Sequence, residues 1–455
     1  MPADNTFYGQ RIHLLQQFTV SSSLRTQGIR RSLSEVERRT VRDAAPQRMR
    51  PRMSRVEAIE NPEQPLGELR ASGKTVLGYV YPHAPLELLL AHGITPSLVR
   101  ANPNVQGGFE ASLQTFSCSL TRNLFSQRSK GGLLPYSGLL FPSNTCDSLH
   151  NVADVWQRRF AEDNIFRLTY PAARLGDDSV QFLAQELRIL SESLKNTYGR
   201  PFSNRDLLTG ASLVGGFRDA AQSLYACRIV DPSLVSYSEL ARILRKFLTI
   251  PNAHAADQIS KSAIAASQLL DKRGQLTLAK SLQKALATGT LGNIKKIGME
   301  LNTPRVLVMG GMIEPQAVAS LFEGSGKYGD QVIVLDLLSF GFKTVFTPRM
   351  NLEGDPFVAM SRCILGAPSE PTQEGLPDRL EFLKLLLTRL SIDGLVVCEQ
   401  SFCDPDQFEA PSLVKAASEA DVPSVRLPMD PELSDRVRLE GRIQSFLETL
   451  EGGRR

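Results

Sequence analysis

Among its 455 residues the chain carries only six cysteines, five histidines and one tryptophan. The cysteines, at positions 118, 146, 227, 363, 398 and 403, are too few and too scattered for a disulfide scaffold, and no two form a CxxC pair. No segment approaches the ~20 apolar residues of a membrane span, and the N-terminus lacks the apolar core of a secretion signal. There is no GxxxxGK[ST] loop to hold ATP, and no GxSxG elbow. The Gly-Gly of VMGGMIEP follows an apolar run but is not GxGxxG, which argues against a dinucleotide site. A net charge of +4 is small for this length and gives no concentrated basic face for nucleic acid. The expectation is a cytoplasmic protein in a reducing compartment, with no membrane or nucleic-acid partner. There, free thiols and thiolate ligands are both available chemistry.

What is present alternates. Apolar residues make up 42% and charged residues 22%, the proportions of an ordinary globular chain long enough for two or three cores. Residues 1–70 read as an arginine-rich, proline-interrupted and partly disordered arm, suited to lying loosely or to gripping a partner subunit or an anion. Residues 71–200 read as an α/β domain. GKTVLGYVYP and GLLFP are strands, PLELLLAHG is a helix stopped by Gly93, and Asn144 or Thr145 caps the helix that follows GLLFP. NIFRLTYP is a further strand and DSVQFLAQELRILSESLKNTYG a strong amphipathic helix. Residues 201–300 have helical period throughout. Residues 301–455 return to alternation, with strands in RVLVMG, QVIVLDLLS, DGLVVCEQ and VPSVRLPMD. The fold class is therefore α/β, with two parallel-sheet domains joined by a helical region.

In open parallel sheets, ligands gather outside the carboxyl ends of the strands. Cys146 follows GLLFP and Cys403 follows DGLVVCEQ; each precedes an aspartate at a helix entrance, where the helix dipole favours thiolate. Cys118, in QTFSCSLTRNLF, lies in a loop or helix start between the first two predicted strands. Three thiolates from separate loops suit an iron–sulfur cluster. Cys146 with His150, at i and i+4, suits zinc. Small buried thiols without chemistry suit the same pattern. Cys398 reads as a core residue on its strand, and Cys227 and Cys363 read the same way. His83 follows the first strand, either as a solvated loop histidine or at an active site. Glu87, in the first turn of the next helix, balances the helix dipole or serves as an acid–base group or holds a substrate hydroxyl.

Five stretches together resemble the 2-hydroxyacyl-CoA dehydratase / benzoyl-CoA reductase family. They are YPHAPLELLLAHGITP, NTCDSLHNVADVW, VLVMGGMIEP with VIVLDLLSFGFK, DGLVVCEQSFCDPDQFEAPSL, and VPSVRLPMD with the EGRIQSFLETL ending. The resemblance covers about residues 73–450. It implies two Rossmann-like domains and a [4Fe-4S] cluster held by Cys118, Cys146 and Cys403. It implies ketyl-radical chemistry on an acyl-CoA thioester, with dehydration of a 2-hydroxyacyl-CoA to an enoyl-CoA as the first expectation. Reduction of an aryl-CoA, or a non-catalytic electron-transfer or scaffold role, is the alternative. It also implies a homologous second subunit and a separate ATP-dependent iron–sulfur activator, which fits the missing P-loop, and an anaerobic setting. Glu87 and His83 are the catalytic candidates carried over, although Leu86 separates Pro85 from Glu87 where the family runs more directly into Pro-Glu.

Overall fold

A computed structural model describes residues 63–133, 135–173, 176–294, 303–325 and 328–452. The expected arm lies outside the described residues up to position 62; from there the chain is helical as α1 (Glu63–Ala71), which buries Leu66 and packs beside the strand that follows it.

Two parallel sheets carry the architecture. The first contains β1 (Val76–Tyr79), β2 (Thr95–Leu98), β3 (Gly138–Ser143) and β4 (Ile165–Thr169), in the order β2-β1-β3-β4. The second contains β5 (Val306–Met309), β6 (Ile333–Leu337), β7 (Gly394–Gln400) and β8 (Ser424–Met429), in the order β6-β5-β7-β8. All pairings are parallel, so the two halves repeat one topology without repeating a sequence. In each half the order reverses at one place, between β1 and β3 and between β5 and β7. A crevice opens at such reversals, outside the strands' carboxyl ends.

Between and around the strands run α2 (Leu86–Ala91), α3 (Ser119–Ser129), α4 (Asp147–Arg159) and α5 (Asp177–Tyr198). The helical stretch holds α6 (Asn204–Val230), α7 (Tyr237–Thr249), α8 (Ala253–Lys272) and α9 (Leu276–Thr288). Around the second sheet lie α10 (Pro315–Glu323), α12 (Leu376–Arg389), α13 (Asp404–Glu419) and α14 (Arg436–Gly452), whereas α11 (Pro356–Leu365) packs on α5 of the first half. Gly199 ends α5 in the left-handed conformation that a residue with a Cβ resists (φ 66°), and Gly274 (φ 68°) breaks the long run between α8 and α9.

The helical stretch is fixed to the second sheet by buried polar contacts. Arg305 donates from Nε to the Leu390 carbonyl at 3.1 Å and from Nη2 to that of Ile229 at 3.0 Å. Tyr225 donates to Asp336 at 2.6 Å, and Asp336 also accepts the N–H groups of Leu338 (3.0 Å) and Phe342 (3.1 Å). These bonds hold the π-turn Ser339–Lys343, where a Cβ on Gly341 would strike the Asp336 carboxylate. Among the described residues, no helix is long and apolar enough to cross a membrane.

Candidate functional site

Cys118, Cys146 and Cys403 are the N-cap residues of α3, α4 and α13. The helix after β3 is thus capped at Cys146 rather than at Asn144 or Thr145. Asn144 is instead left-handed (φ 60°) and donates from Nδ2 to the Tyr170 carbonyl at 3.0 Å. Phe402, just before Cys403, is also left-handed (φ 59°), with the Arg122 guanidinium 5.1 Å from its ring centre. A residue with a side chain is held this way at a cost of about 1–3 kcal/mol, and such residues gather where surroundings dictate the path of a functional loop.

The three cysteines line one pocket of about 690 Å³ between the two halves. Cys118 and Cys403 are buried and Cys146 is partly exposed. The Ser119 N–H donates to the Ser401 carbonyl at 2.9 Å, and the Gln400 side chain donates to Ser119 Oγ at 2.6 Å. Both bonds run between the Cys118 loop and the Cys403 loop. Tyr81 and Thr372 meet through their hydroxyls at 3.3 Å and join the halves again.

The thiols differ in their hold on the proton. Cys118 and Cys403 meet thiol to thiol. That contact and the N–H groups of Leu120 and Thr121 draw Cys118 below the usual thiol range, while Cys403 keeps its proton. Burial pushes Cys146 up to about 12 against the pull of the Leu149 and Ser148 N–H groups. Bound cations reverse such shifts, because a coordinated thiol gives up its proton. Among the described residues, no three His, Cys, Asp or Glu side chains are close enough together to hold one metal ion. The donor set is three thiols, each at the positive end of a helix, spread around a pocket. That chemistry matches a multi-iron cluster better than a single zinc ion. His150 is half exposed and 3.9 Å from Asp154, and among the described residues no group of three His, Cys, Asp or Glu side chains around Cys146 and His150 is placed to complete a zinc set.

Charged groups form part of the pocket wall and continue behind it. Arg379 donates from Nε to Glu409 at 2.7 Å and from Nη1 to the carbonyls of Gln373 and Glu374 at 3.2 Å, which fixes the loop leading into α12. Glu370, fully buried, is bonded by Ser339 Oγ and lies 4.0 Å from Lys343 Nζ. Burial raises the Glu370 carboxyl above its usual range. Burial also pushes Asp406 up to about 7; its Oδ2 accepts the Gln400 N–H at 3.0 Å.

His83 and Glu87 are not among the residues lining the cysteine pocket. They share a separate cavity of about 10 Å³ with Arg218 and Cys363. His83 is buried rather than solvated, because the loop after β1 is covered by the second half; its Nε2 lies 3.6 Å from Glu370. Glu87 is paired with Arg218 at 2.9 Å inside the protein, more than dipole balancing requires. Cys227, Cys363 and Cys398 are buried, as expected; burial pushes Cys363 up to about 12 and raises Cys227 and Cys398 as well.

Fold and site together define an α/β protein of two like parallel sheets with a thiol-lined pocket between them. The chain belongs to the family described as 2-hydroxyglutaryl-CoA dehydratase, D-component, whose model matches residues 82–450. It is 24% identical over 419 residues to the beta subunit of lactoyl-CoA dehydratase from Anaerotignum propionicum, covering 88% of this chain and 100% of that one. It is 22% identical over 361 residues to a benzoyl-CoA reductase subunit from Thauera aromatica, covering 77% and 84%. It is 21% identical over 397 residues to the beta subunit of (R)-2-hydroxyglutaryl-CoA dehydratase from Acidaminococcus fermentans, covering 86% and 96%.

Proposed function

We propose that this chain is a subunit of an iron–sulfur enzyme acting on acyl-CoA thioesters, and that its reaction is the dehydration of a 2-hydroxyacyl-CoA to an enoyl-CoA. The observation that carries this reading is the convergence of Cys118, Cys146 and Cys403 on one pocket, in a family whose named relatives are mostly 2-hydroxyacyl-CoA dehydratase subunits. The same three cysteines are the proposed ligands of a [4Fe-4S] cluster. Bound there, the cluster supplies low-potential one-electron chemistry and an iron open to a substrate oxygen.

The chain's own residues do the rest. Helix N-termini at all three thiols offset thiolate charge. Leu120, Leu149, Met312 and Leu376 line the pocket and keep water from a reacting carbonyl. Arg379 and Glu409 fix the wall formed by residues 373–376. His83 and Glu87 are proposed for acid–base work at one remove. His83 faces Glu370, whose chain neighbours Pro371 and Thr372 line the pocket.

A homologous second subunit and an ATP-dependent activator complete the proposed system. The relatives carry subunit names, and this chain has no P-loop of its own. Reduction of an aryl-CoA is the second reading, favoured by the match to the benzoyl-CoA reductase subunit. The test is anaerobic titration of the protein, co-expressed with its neighbouring genes, by 2-hydroxyacyl-CoA and benzoyl-CoA. A change in the visible spectrum with the hydroxyacyl thioester and none with benzoyl-CoA supports dehydration, and the reverse supports reduction. No change with either leaves an electron-transfer or scaffold subunit.

A further inference from the structure

A second cavity, of about 40 Å³, lies beside the cysteine pocket, with Leu120 and Met312 lining both. It too sits at the carboxyl edges: Val99 follows β2, Ile313 follows β5, Gln400 ends β7 and Met429 ends β8. Its wall holds a cation with a bonding position left over. Arg100 is buried, pairs through Nη1 with Glu314 and donates from Nη2 to the Arg245 carbonyl at 3.2 Å, but its Nε has no hydrogen-bond partner. A buried donor left unmet is costly, so such an atom marks a place for an acceptor. We propose that this cavity receives a carboxylate carried on the far end of the acyl chain, with Arg100 Nε as its donor, so that the acyl group is that of a dicarboxylic acid. The inference rests on the acyl-CoA reading above and names the substrate class within it.

Charge and size both point this way. Arg100 and Arg245 line the cavity and share one carboxylate: one Glu314 oxygen pairs with Arg100, and the other lies 3.5 Å from Arg245 Nη1. The second acid in the wall, Asp430, is partly exposed and accepts the Ser434 N–H at 2.9 Å; its charge is turned to solvent and to that turn rather than to the arginines. An incoming carboxylate therefore meets two guanidinium groups held by a single counter-charge, which offsets the cost of taking it out of water. The volume admits about three or four water-sized groups, the bulk of a carboxylate and the methylene before it. Val99, Leu120, Met312, Ile313 and Phe340 supply apolar wall for the chain that leads there.

The experiment is anaerobic isothermal titration of the iron-loaded complex with glutaryl-CoA, pentanoyl-CoA, free CoA and free glutarate. The two thioesters have chains of equal length, differ at the far end, and lack the 2-hydroxyl that dehydration removes. Glutaryl-CoA is expected to bind at least about tenfold more tightly than pentanoyl-CoA. Arg100→Met removes the donor and is expected to bring the two within about threefold of each other, with pentanoyl-CoA within about threefold of its starting value. Should Arg100→Met fail to fold, Glu314→Gln takes its place: it frees both arginines of their shared counter-charge and is expected to tighten glutaryl-CoA by about tenfold while pentanoyl-CoA stays within about threefold. Equal affinities in the unaltered protein would mean that water meets Arg100 Nε. That result, or a ratio that the variant leaves unmoved, overturns the inference while the acyl-CoA reading stands. Free glutarate binding as tightly as glutaryl-CoA would put the carboxylate on a separate small molecule and overturn it as well. If neither thioester binds more tightly than free CoA, both readings fall.

Discussion

The Gln400 side chain donates to the Ser119 hydroxyl at 2.6 Å, across the boundary between the two halves. Ser119 follows Cys118 and Gln400 stands three residues before Cys403, so this bond sets the spacing of two of the three pocket thiols. Gln400→Leu keeps the bulk, removes the donor and strands a buried hydroxyl, at a cost of about 1–3 kcal/mol. The expected outcome is a lower denaturation midpoint and faster loss of iron on gel filtration. Iron retention equal to the unaltered protein would show that the spacing is set elsewhere.

The Glu87–Arg218 pair is nearly shielded from water, with side-chain exposures of 7% and 8%. Removing one partner leaves a buried charge alone. Glu87→Ala or Arg218→Ala should therefore each cost about 3–5 kcal/mol of unfolding free energy, whereas replacing both by leucine and methionine should recover most of it. Denaturant unfolding of the two single variants and the double variant measures the coupling. A double variant that is folded, holds iron and lacks turnover would assign the pair to the chemistry as well as to the fold.

Glu370 ties stability to pH. Its folded carboxyl is raised above the ordinary value of 4.5 by burial, with Lys343, Ser339 and Arg379 pulling down and Glu409 pushing up. His83 also faces it. Above that ordinary value the folded protein binds this proton more tightly than the unfolded chain does. Stability then falls as pH rises toward the folded value, with a limiting slope of roughly 1.4 kcal/mol per pH unit. Glu370→Gln removes the slope and gains stability at alkaline pH relative to the unaltered protein. Unfolding curves at several pH values check this; identical slopes would mean that Glu370 stays ionised in the fold.

Much of the scaffold was legible because its signals are local. Short apolar runs ending in turn residues marked β1, β3, β5 and β7, and Gly93 and Gly199 marked two helix ends. Cys146 and Cys403 were placed by the same logic, each directly after a strand and before an acidic first turn. β2 went unseen because Pro96 and Ser97 interrupt a four-residue strand, which an edge position tolerates. α11 was missed although its signal was present: Asp355 accepts the N–H groups of Phe357 and Val358, with Pro356 opening the helix. Arg218 and the buried group of Glu370, Lys343, Asp406 and Glu409 carry no such mark. In sequence they look like ordinary charged positions: Lys343, Asp406 and Glu409 are enclosed within the second half beside Gly310 and Cys398, and Arg218 is buried against Glu87. His83 is buried where the first half meets Glu370 of the second.

The most direct test of the central claim is iron and acid-labile sulfide per chain in anaerobically purified protein, measured beside Cys118→Ser, Cys146→Ser and Cys403→Ser. The account predicts about four of each per chain in the unaltered protein, and sharp loss in every variant while the fold is kept by circular dichroism. A folded protein without iron, or iron that survives all three substitutions, would contradict it.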